Sequence, residues 1–464
     1  MLKILKALGV VVGLFAIGLL VIYFAFFRGL PRPEIALQPL EFSGKETAGL
    51  HDCFWMGPVT IDAFNTAYPD GGAIYWPTVF KFPAAERDSY IEIAGQFPRS
   101  RYLSIHSYTG NAVPYDHLND QEIVPDEGSQ NPFKTGKHTD NQSFTLRVYP
   151  GAMPETPAQN ALYLGPLEKV SNTPIILRSY VSEVEGDNGG GAGLPQVTLV
   201  RSGGERISGS ALCDLLQSPK AGEQGRFLSA PVIPRTAYDK MIHNREVRSA
   251  LLKNKQEEWT VFWDPRISVA RLISPAMSKV MKGLARWGVI MKTSGFFANF
   301  DNEYVSMYIN QEFGPVTVLR GKLPKTPPTG TAAASGEYDM RYWSICTNEG
   351  LATTRFTACL FDSEVTIDQD RNYTIVISKP SDRPKNATAA CGVSWMDFGV
   401  AGDGAGNTGL AVLILRNMLP NPAFKAAVQN IQRVGDEKST MGDYLPIPDY
   451  METTDFEAPG CANG

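Results

Sequence analysis

The sequence predicts a mainly β protein with some α structure. We expect an N-terminal transmembrane helix, then two related antiparallel β modules of the sandwich or jelly-roll type, with a helical insert between them. Three observations support this. Gly and Pro are frequent, 43 and 33 of 464 residues, and aromatic residues reach 10%, which favours turn-rich β structure. One apolar run is long enough to cross a bilayer, and a set of short motifs occurs twice in the same order.

The predicted membrane anchor is the run 8–27, which has 20 residues and no charge. At about 1.5 Å per residue this run spans roughly the hydrocarbon thickness of a bilayer. It ends in bulky aromatic residues before Arg28 and lacks a small-x-small cleavage site, so an uncleaved anchor is favoured over the alternative, a signal peptide. We therefore expect an anchor with its flanks at 1–30 and a linker at 31–44. The rest of the chain is then expected on one side of the inner membrane, in the periplasm or outside the cell.

The cysteines favour disulfides over zinc. The chain has six: Cys53, Cys213, Cys346, Cys359, Cys391 and Cys461. None forms a Cys-x-x-Cys pair and none has a histidine at zinc-finger spacing. Cys346 and Cys359 are 13 residues apart with strand-like sequence around each, so they are predicted to bridge a hairpin. The alternative is a set of unrelated buried thiols.

An internal duplication is the most informative feature. The segment 101–106 (Arg-Tyr-Leu-Ser-Ile-His) recurs at 341–346 as Arg-Tyr-Trp-Ser-Ile-Cys, and Ile-Leu-Arg at 176–178 recurs at 414–416. The interval between the two arginines of each copy is 77 residues in the first and 75 in the second. This predicts a first β module at 45–218 and a second at 297–450, followed by an acidic tail at 451–464. We expect structural roles for the repeated arginines, because an unpaired buried charge is costly. They are Arg101, Arg178, Arg341 and Arg416.

The stretch between the modules, 219–296, is predicted to be a helical and basic insert. Within 235–292 there are 12 basic and 5 acidic residues. The best helix is expected at 274–291, where Ser274-Pro275 provides an N-cap and a first-turn proline. Its apolar side chains recur on one face: Met277, Val280, Met281, Leu284 and Trp287. The helix either lies on a membrane surface or packs on a module, and we favour packing.

Few chemical motifs are present. The net charge of −5 excludes a chain-wide basic surface of the kind that binds nucleic acid. Residues 404–409 fit Gly-x-Gly-x-x-Gly, but strand-like sequence follows them instead of a helix, so we interpret them as a loop and predict no cofactor.

An acidic loop in the first module gives the remaining candidates. His106 and His117, with Asp116 and Asp120, are candidates for a general-base cluster. The candidate calcium ligands are Asp116, Asn119, Asp120, Glu122 and Asp126. A solvated turn is the favoured alternative in both cases, so neither a catalytic site nor a metal site is predicted firmly.

The second module resembles a known bacterial family. The residues that carry the resemblance are Arg-Tyr-Trp-Ser at 341–344, Tyr-x-Ile-Val-Ile-Ser at 373–378, Ser-Trp at 394–395 and Leu-Arg-x-Met-Leu-Pro at 415–420. This order is similar to the domain of unknown function numbered twelve-fourteen, often found with family twelve-fifty-four. The first module matches loosely. The resemblance implies a β-rich, extracytoplasmic bacterial protein and no settled activity.

These features predict a membrane-anchored binding or accessory subunit of an envelope assembly, with a protein partner in the envelope. Membrane contact is expected through 8–27 and, in one interpretation, also through the helix at 274–291. The alternative is an extracytoplasmic enzyme with a His/Asp site in the first module, acting on a small molecule or a carbohydrate.

Overall fold

Four β-sheets arranged in two pairs form most of the described chain, which confirms the mainly β class. The computed structural model describes residues 54–61, 65–109, 113–166, 173–187, 189–218, 234–242, 259–261, 297–328 and 338–461, and the backbone of 36–39 and 229–232. The predicted anchor at 8–27 and the predicted helix at 274–291 lie outside these residues. Within the described ranges, no helix is both long and apolar enough to cross a membrane.

The strands and helices of the described residues have the following bounds. The strands are β1 (Ala36–Pro39), β2 (Ala73–Phe80), β3 (Tyr90–Gln96), β4 (Ser100–Tyr108), β5 (Pro114–Asn119), β6 (Ser143–Tyr149), β7 (Ala161–Tyr163), β8 (Thr173–Ser182), β9 (Gln196–Val200), β10 (Arg206–Ser208), β11 (Ser229–Val232), β12 (Thr260–Val261), β13 (Asn302–Asn310), β14 (Val316–Lys322), β15 (Met340–Asn348), β16 (Phe356–Phe361), β17 (Asn372–Ser378), β18 (Val393–Asp397), β19 (Leu410–Pro420) and β20 (Ile447–Met451). The α-helices are α1 (Pro132–Thr135), α2 (Gly209–Leu215), α3 (Arg235–Ile242), α4 (Glu437–Met441) and α5 (Thr453–Glu457).

The two sandwiches repeat one strand order. In the first, an inner sheet β2-β8-β4-β5 packs on an outer sheet β10-β9-β3-β6-β7. In the second, an inner sheet β12-β13-β19-β15-β16 packs on an outer sheet β18-β17-β14-β20. The eight strands β2 to β9 therefore correspond, one by one in chain order, to the strands β13 to β20, and corresponding strands occupy the same position in their sheets. The expectation of purely antiparallel modules is wrong in one respect, since β6 pairs with β7, and β17 with β18, in parallel.

The central strands of the inner sheets are covered on both faces. All nine residues of β4 are buried, and so are all nine of β15. Alternate residues of a strand point to opposite faces. Leu103 and Ile105 point into the core of the first sandwich. Tyr102 points the other way, where it packs with Tyr180 of its own sandwich and with Tyr342 of the second sandwich. We call this contact between the two inner sheets the seam.

The insert at 219–296 is only partly described. It contains α3 and two short strands: β11 forms a ribbon with β1, and β12 extends the inner sheet of the second sandwich. The Tyr238 hydroxyl of α3 donates to Asp403 Oδ2 at 3.0 Å, in the glycine-rich loop before β19. That loop leads into a strand, as expected from its sequence.

Two disulfides lie within the described residues. Cys346 on β15 is bonded to Cys359 on β16, which confirms the predicted hairpin bridge. Cys391 is bonded to Cys461, so the end of the described chain is tied to the second sandwich. Disulfides of this kind persist in oxidising compartments, and they indicate an extracytoplasmic location.

Candidate functional site

Two buried ion pairs cross the seam, and each joins an arginine of one sandwich to an aspartate of the other. Arg101 of β4 reaches Asp362, which follows β16, with Nη1 2.6 Å from Oδ1. Arg341 of β15 reaches Asp120, which follows β5, with Nη1 3.0 Å from Oδ1. The second oxygen of each carboxylate accepts a backbone N–H from the strand of its own sandwich, so each acid joins both halves.

In the second copy, one carboxylate satisfies three seam groups. Tyr342 and Ser344 of β15 donate to Asp70 Oδ1 and Oδ2 at 2.5 and 2.7 Å. Arg416 lies opposite Ser344 on β19, and its Nε is 3.5 Å from Asp70 Oδ2. Its other nitrogens donate to the Tyr68 carbonyl and to Cys346 Sγ, both at 2.8 Å. Arg416 is therefore a neutralised buried cation.

The first copy has a similar layout, with an amide at the position of Asp70. Asn299 precedes β13 by the same three residues that separate Asp70 from β2, and its Oδ1 lies 3.0 Å from the Tyr102 hydroxyl. The shorter hydrogen bond of this hydroxyl, at 2.6 Å, goes to Asp301 Oδ2. Ser104 and Arg178 stand opposite each other, as Ser344 and Arg416 do. Here, however, Ser104 Oγ and Arg178 Nη1 are buried without a hydrogen-bond partner.

Arg178 is consequently a buried cation without a counter-anion. Its Nη2 donates to the Phe297 carbonyl at 2.6 Å, and its guanidinium lies 5.7 Å from the ring centre of Tyr75 and 5.5 Å from that of Tyr108. Among the described residues, no carboxylate oxygen lies within 4.0 Å of its nitrogens. Tyr75 is half-buried, and burial raises the pKa of its phenol.

One pair of opposed positions differs between the copies in chemistry. His106 faces His117 across β4 and β5, at the place where Cys346 faces Cys359. The imidazole centres are 5.0 Å apart. The first copy thus has two titratable rings where the second copy has a covalent bond.

The two imidazoles have opposite charge preferences. Burial lowers the pKa of His106 well below its ordinary value, and the nearby Arg178 charge lowers it further. Burial also lowers the pKa of His117, but Asp301 at 3.5 Å and Glu122 at 3.8 Å outweigh burial, so that the pKa is raised. His106 is therefore neutral near pH 7, and His117 binds a proton more readily than an ordinary histidine does.

We expect these two histidines to give stability a maximum near pH 6.5, their ordinary pKa. Below this pH the residue His106 binds a proton in the unfolded chain but stays neutral in the folded chain, so the free energy of unfolding falls as pH falls. Above it, the stability contributed by protonated His117 is lost as pH rises through its raised folded-state pKa. Urea titrations across pH 5–9 check this. His117→Gln should flatten the limb above pH 6.5 relative to the wild type; an unchanged limb would contradict the assignment.

The predicted general-base residues are only partly brought together. The carboxylate of Asp116 accepts the backbone N–H groups of His117 and Tyr163 at 2.8 Å each, and the carboxylate of Asp120 is held by Arg341 and the Leu103 N–H. Among the described hydrogen bonds, neither acid contacts an imidazole side chain. The close carboxylate of His117 is instead Asp301, which lies outside the predicted cluster.

The candidate calcium ligands do not converge. Asn119 Oδ1 accepts backbone N–H groups of Gln121 and Glu122, and Glu122 Oε2 accepts the Asn119 N–H. Asp116 and Asp120 are engaged as above. Within the described ranges, the one group of three close metal-ligand types is Asp70 with the disulfide-bonded Cys346 and Cys359.

Sequence comparison gives no family. No family model matches the chain, and no curated protein matches it. Two solved structures align with most of the chain. An uncharacterised protein from Burkholderia cenocepacia has 11% identity and a TM-score of 0.45, covering 87% of this chain and 83% of its own. A protein from Vibrio parahaemolyticus has 11% identity and a TM-score of 0.35, covering 83% and 90%. The resemblance to families twelve-fourteen and twelve-fifty-four stays a prediction.

Proposed function

We propose that this chain is an extracytoplasmic binding protein that holds a small anion at Arg178, in the seam between its two inner sheets. The observation that supports this is the charge asymmetry of the two copies. Arg416 has Asp70, whereas the first copy has the neutral Asn299 at the equivalent position, and Arg178 Nη1 has no hydrogen-bond partner. A buried guanidinium without a counter-charge costs several kcal/mol, so an anion that supplies this charge would be bound favourably.

The setting of this function is the cell envelope. We propose that the run 8–27 anchors the chain in the inner membrane and that the sandwiches act outside the cytoplasm, in association with a protein partner. For the helix at 274–291, packing on a module remains the favoured expectation and membrane contact the alternative. The enzyme alternative depended on His106 and His117 with Asp116 and Asp120. Both acids are engaged in other contacts, which supports binding over catalysis as the proposed function. The chain is proposed as a distant member of the two families named above.

Calorimetric titration of the full-length protein with acetate, benzoate, phosphate and sulfate tests the proposal. We expect one bound anion per chain. Arg178→Met should weaken its binding tenfold or more, because a hydrogen bond to a charged group is worth about 1.5–3 kcal/mol. Asn299→Asp keeps the arginine and adds an internal counter-charge, so it should compete with the anion and weaken binding similarly.

Arg206→Met is the matched control. Arg206 lies on β10, at the edge of the outer sheet of the first sandwich, and pairs with Glu92 at the surface. This variant should bind the anion as the wild type does. Anion binding that neither Arg178→Met nor Asn299→Asp weakens, or no binding of any of the four anions, would contradict the proposed function.

A further inference from the structure

The donors around Arg178 identify the class of anion. Three side chains on one face of the first inner sheet have a buried polar atom without a partner: Arg178 Nη1, Ser104 Oγ and His106 Nδ1. Each of these residues is at most 2% exposed. Ser104 is directly opposite Arg178, and His106 is two residues further along β4 on the same face. Facing side chains on paired strands are about 5 Å apart at Cβ, so the three groups are neighbours.

All three atoms can donate a hydrogen. The backbone N–H of Phe300 donates to His106 Nε2 at 3.2 Å, so this nitrogen carries no hydrogen. In a neutral imidazole the hydrogen then belongs to Nδ1. A serine hydroxyl rotates to suit an acceptor, and a guanidinium only donates. No acceptor makes a hydrogen bond within 3.5 Å to these three atoms, although the Tyr102, Asn299 and Tyr108 side chains interact with Ser104, His106 and Arg178 at longer range. An oxygen acceptor within bonding distance is therefore the partner that all three lack.

The charge of the site favours a monoanion. Arg178 supplies one positive charge and neutral His106 supplies none. His117 stands opposite His106 on β5, and the acids that contact it, Asp301 and Glu122, oppose a second negative charge on the ligand. A carboxylate suits this balance, with two oxygens for the guanidinium and the uncharged donors.

Aromatic rings enclose the same place. Tyr75 and Tyr108 flank the guanidinium, and Phe297 stands edge-on to Tyr108 with ring centres 5.5 Å apart. Phe300 stacks on His106 at 5.9 Å and is 44% exposed, so it forms the boundary between these rings and solvent. Aromatic walls with a few convergent polar groups are typical of small-molecule sites.

We propose that the ligand is a small monocarboxylate with an apolar, ring-sized body, whose carboxylate accepts from Arg178 Nη1, Ser104 Oγ and His106 Nδ1. This rests on the proposed function and names the chemistry of the same site. The second copy does not offer an equivalent site, because Asp70 occupies Ser344 and Arg416, and a disulfide replaces the histidine pair.

The test titrates benzoate, acetate and phosphate into the full-length chain in an uncharged detergent, with detergent alone as the blank. We expect benzoate to bind about tenfold more tightly than acetate, and phosphate to bind more weakly than both. Ser104→Ala should weaken benzoate binding about tenfold, since one hydrogen bond to a charged group is lost. The same change should leave the melting temperature nearly unchanged, because Ser104 Oγ has no hydrogen-bond partner within 3.5 Å to lose.

Ser344→Ala is the matched control in the second copy. It removes a hydrogen bond to Asp70, so it should lower the melting temperature and leave benzoate binding unchanged. Phosphate binding more tightly than benzoate, with binding still lost in Arg178→Met, would overturn the monocarboxylate and leave the anion site standing. Benzoate binding by Ser104→Ala at wild-type strength would overturn the three-donor arrangement. Binding of no anion would overturn both proposals.

Discussion

Replacement of Asp70 by asparagine is expected to lower the free energy of unfolding by about 3 kcal/mol, because it leaves the buried Arg416 without its counter-charge. The amide keeps the size of the side chain and an acceptor for the Tyr342 hydroxyl, so the loss reports mainly on charge. It also gives the second copy the side chain that the first copy has at Asn299. Urea unfolding of the wild type and the variant, compared at pH 7, measures the effect.

The control for this substitution is Glu205→Gln, which removes a carboxylate from an exposed ion pair with Arg201. Exposed pairs contribute about 0–1 kcal/mol, so this variant should unfold almost as the wild type does. If Asp70→Asn were equally mild, the buried guanidinium of Arg416 would not depend on Asp70, and the charge asymmetry between the copies would lose its significance.

Replacement of Asp120 by alanine is expected to cost about 4 kcal/mol, in the range measured when one partner of a buried pair is removed. The change leaves Arg341 with only the Arg101 carbonyl, at 3.2 Å, among its described hydrogen bonds, and it removes the acceptor of the Leu103 N–H. Burial raises the pKa of Asp120, although the Arg341 charge opposes this, so the pair itself adds little net stability. The lost stability comes from leaving Arg341 buried without its partner.

The double variant Asp120→Leu with Arg341→Met separates these two effects. Replacing both charges with apolar side chains of similar size is often neutral for a buried pair, so most of the lost stability should return. Denaturant unfolding of the single and double variants gives the comparison. A double variant as unstable as Asp120→Ala would show that the ion pair itself stabilises the seam.

The sequence predicted those parts of the site that the duplication marks. Arg178 and Arg416 lie at matching places on β8 and β19, and the Cys346–Cys359 bridge is present. These predictions succeeded because the spacing between repeated motifs and the alternation of side chains along a strand can both be read within one module.

The partners of the arginines were not predicted, because they come from the other half of the chain. Asp70 and Asn299 lie outside the repeated motifs, each three residues before the first inner strand of its sandwich, and each bonds a tyrosine of the opposite sandwich. Only the fold brings these segments across the seam. A signal was nevertheless present: Tyr75 and Tyr304 follow Asp70 and Asn299 by five residues each.

The acidic loop was interpreted as solvated, and for Asp120 this was wrong. Asp120 is fully buried, because Arg341 of the other sandwich covers it. Composition alone cannot distinguish an acid that faces water from one that faces a distant arginine, since the two differ only in tertiary contacts.

The reciprocal ion pairs Arg101–Asp362 and Arg341–Asp120 bear on the ancestry of this chain. In a two-fold symmetric homodimer, residue i of one subunit contacts residue j of its partner, and j contacts i. The seam follows this rule within a single polypeptide, for the ion pairs and for the tyrosine contacts alike. The chain is thus arranged as a fused dimer. The halves of such a chain need not stay identical, and the two equivalent sites differ here: one has a carboxylate and a disulfide, the other an amide and two histidines.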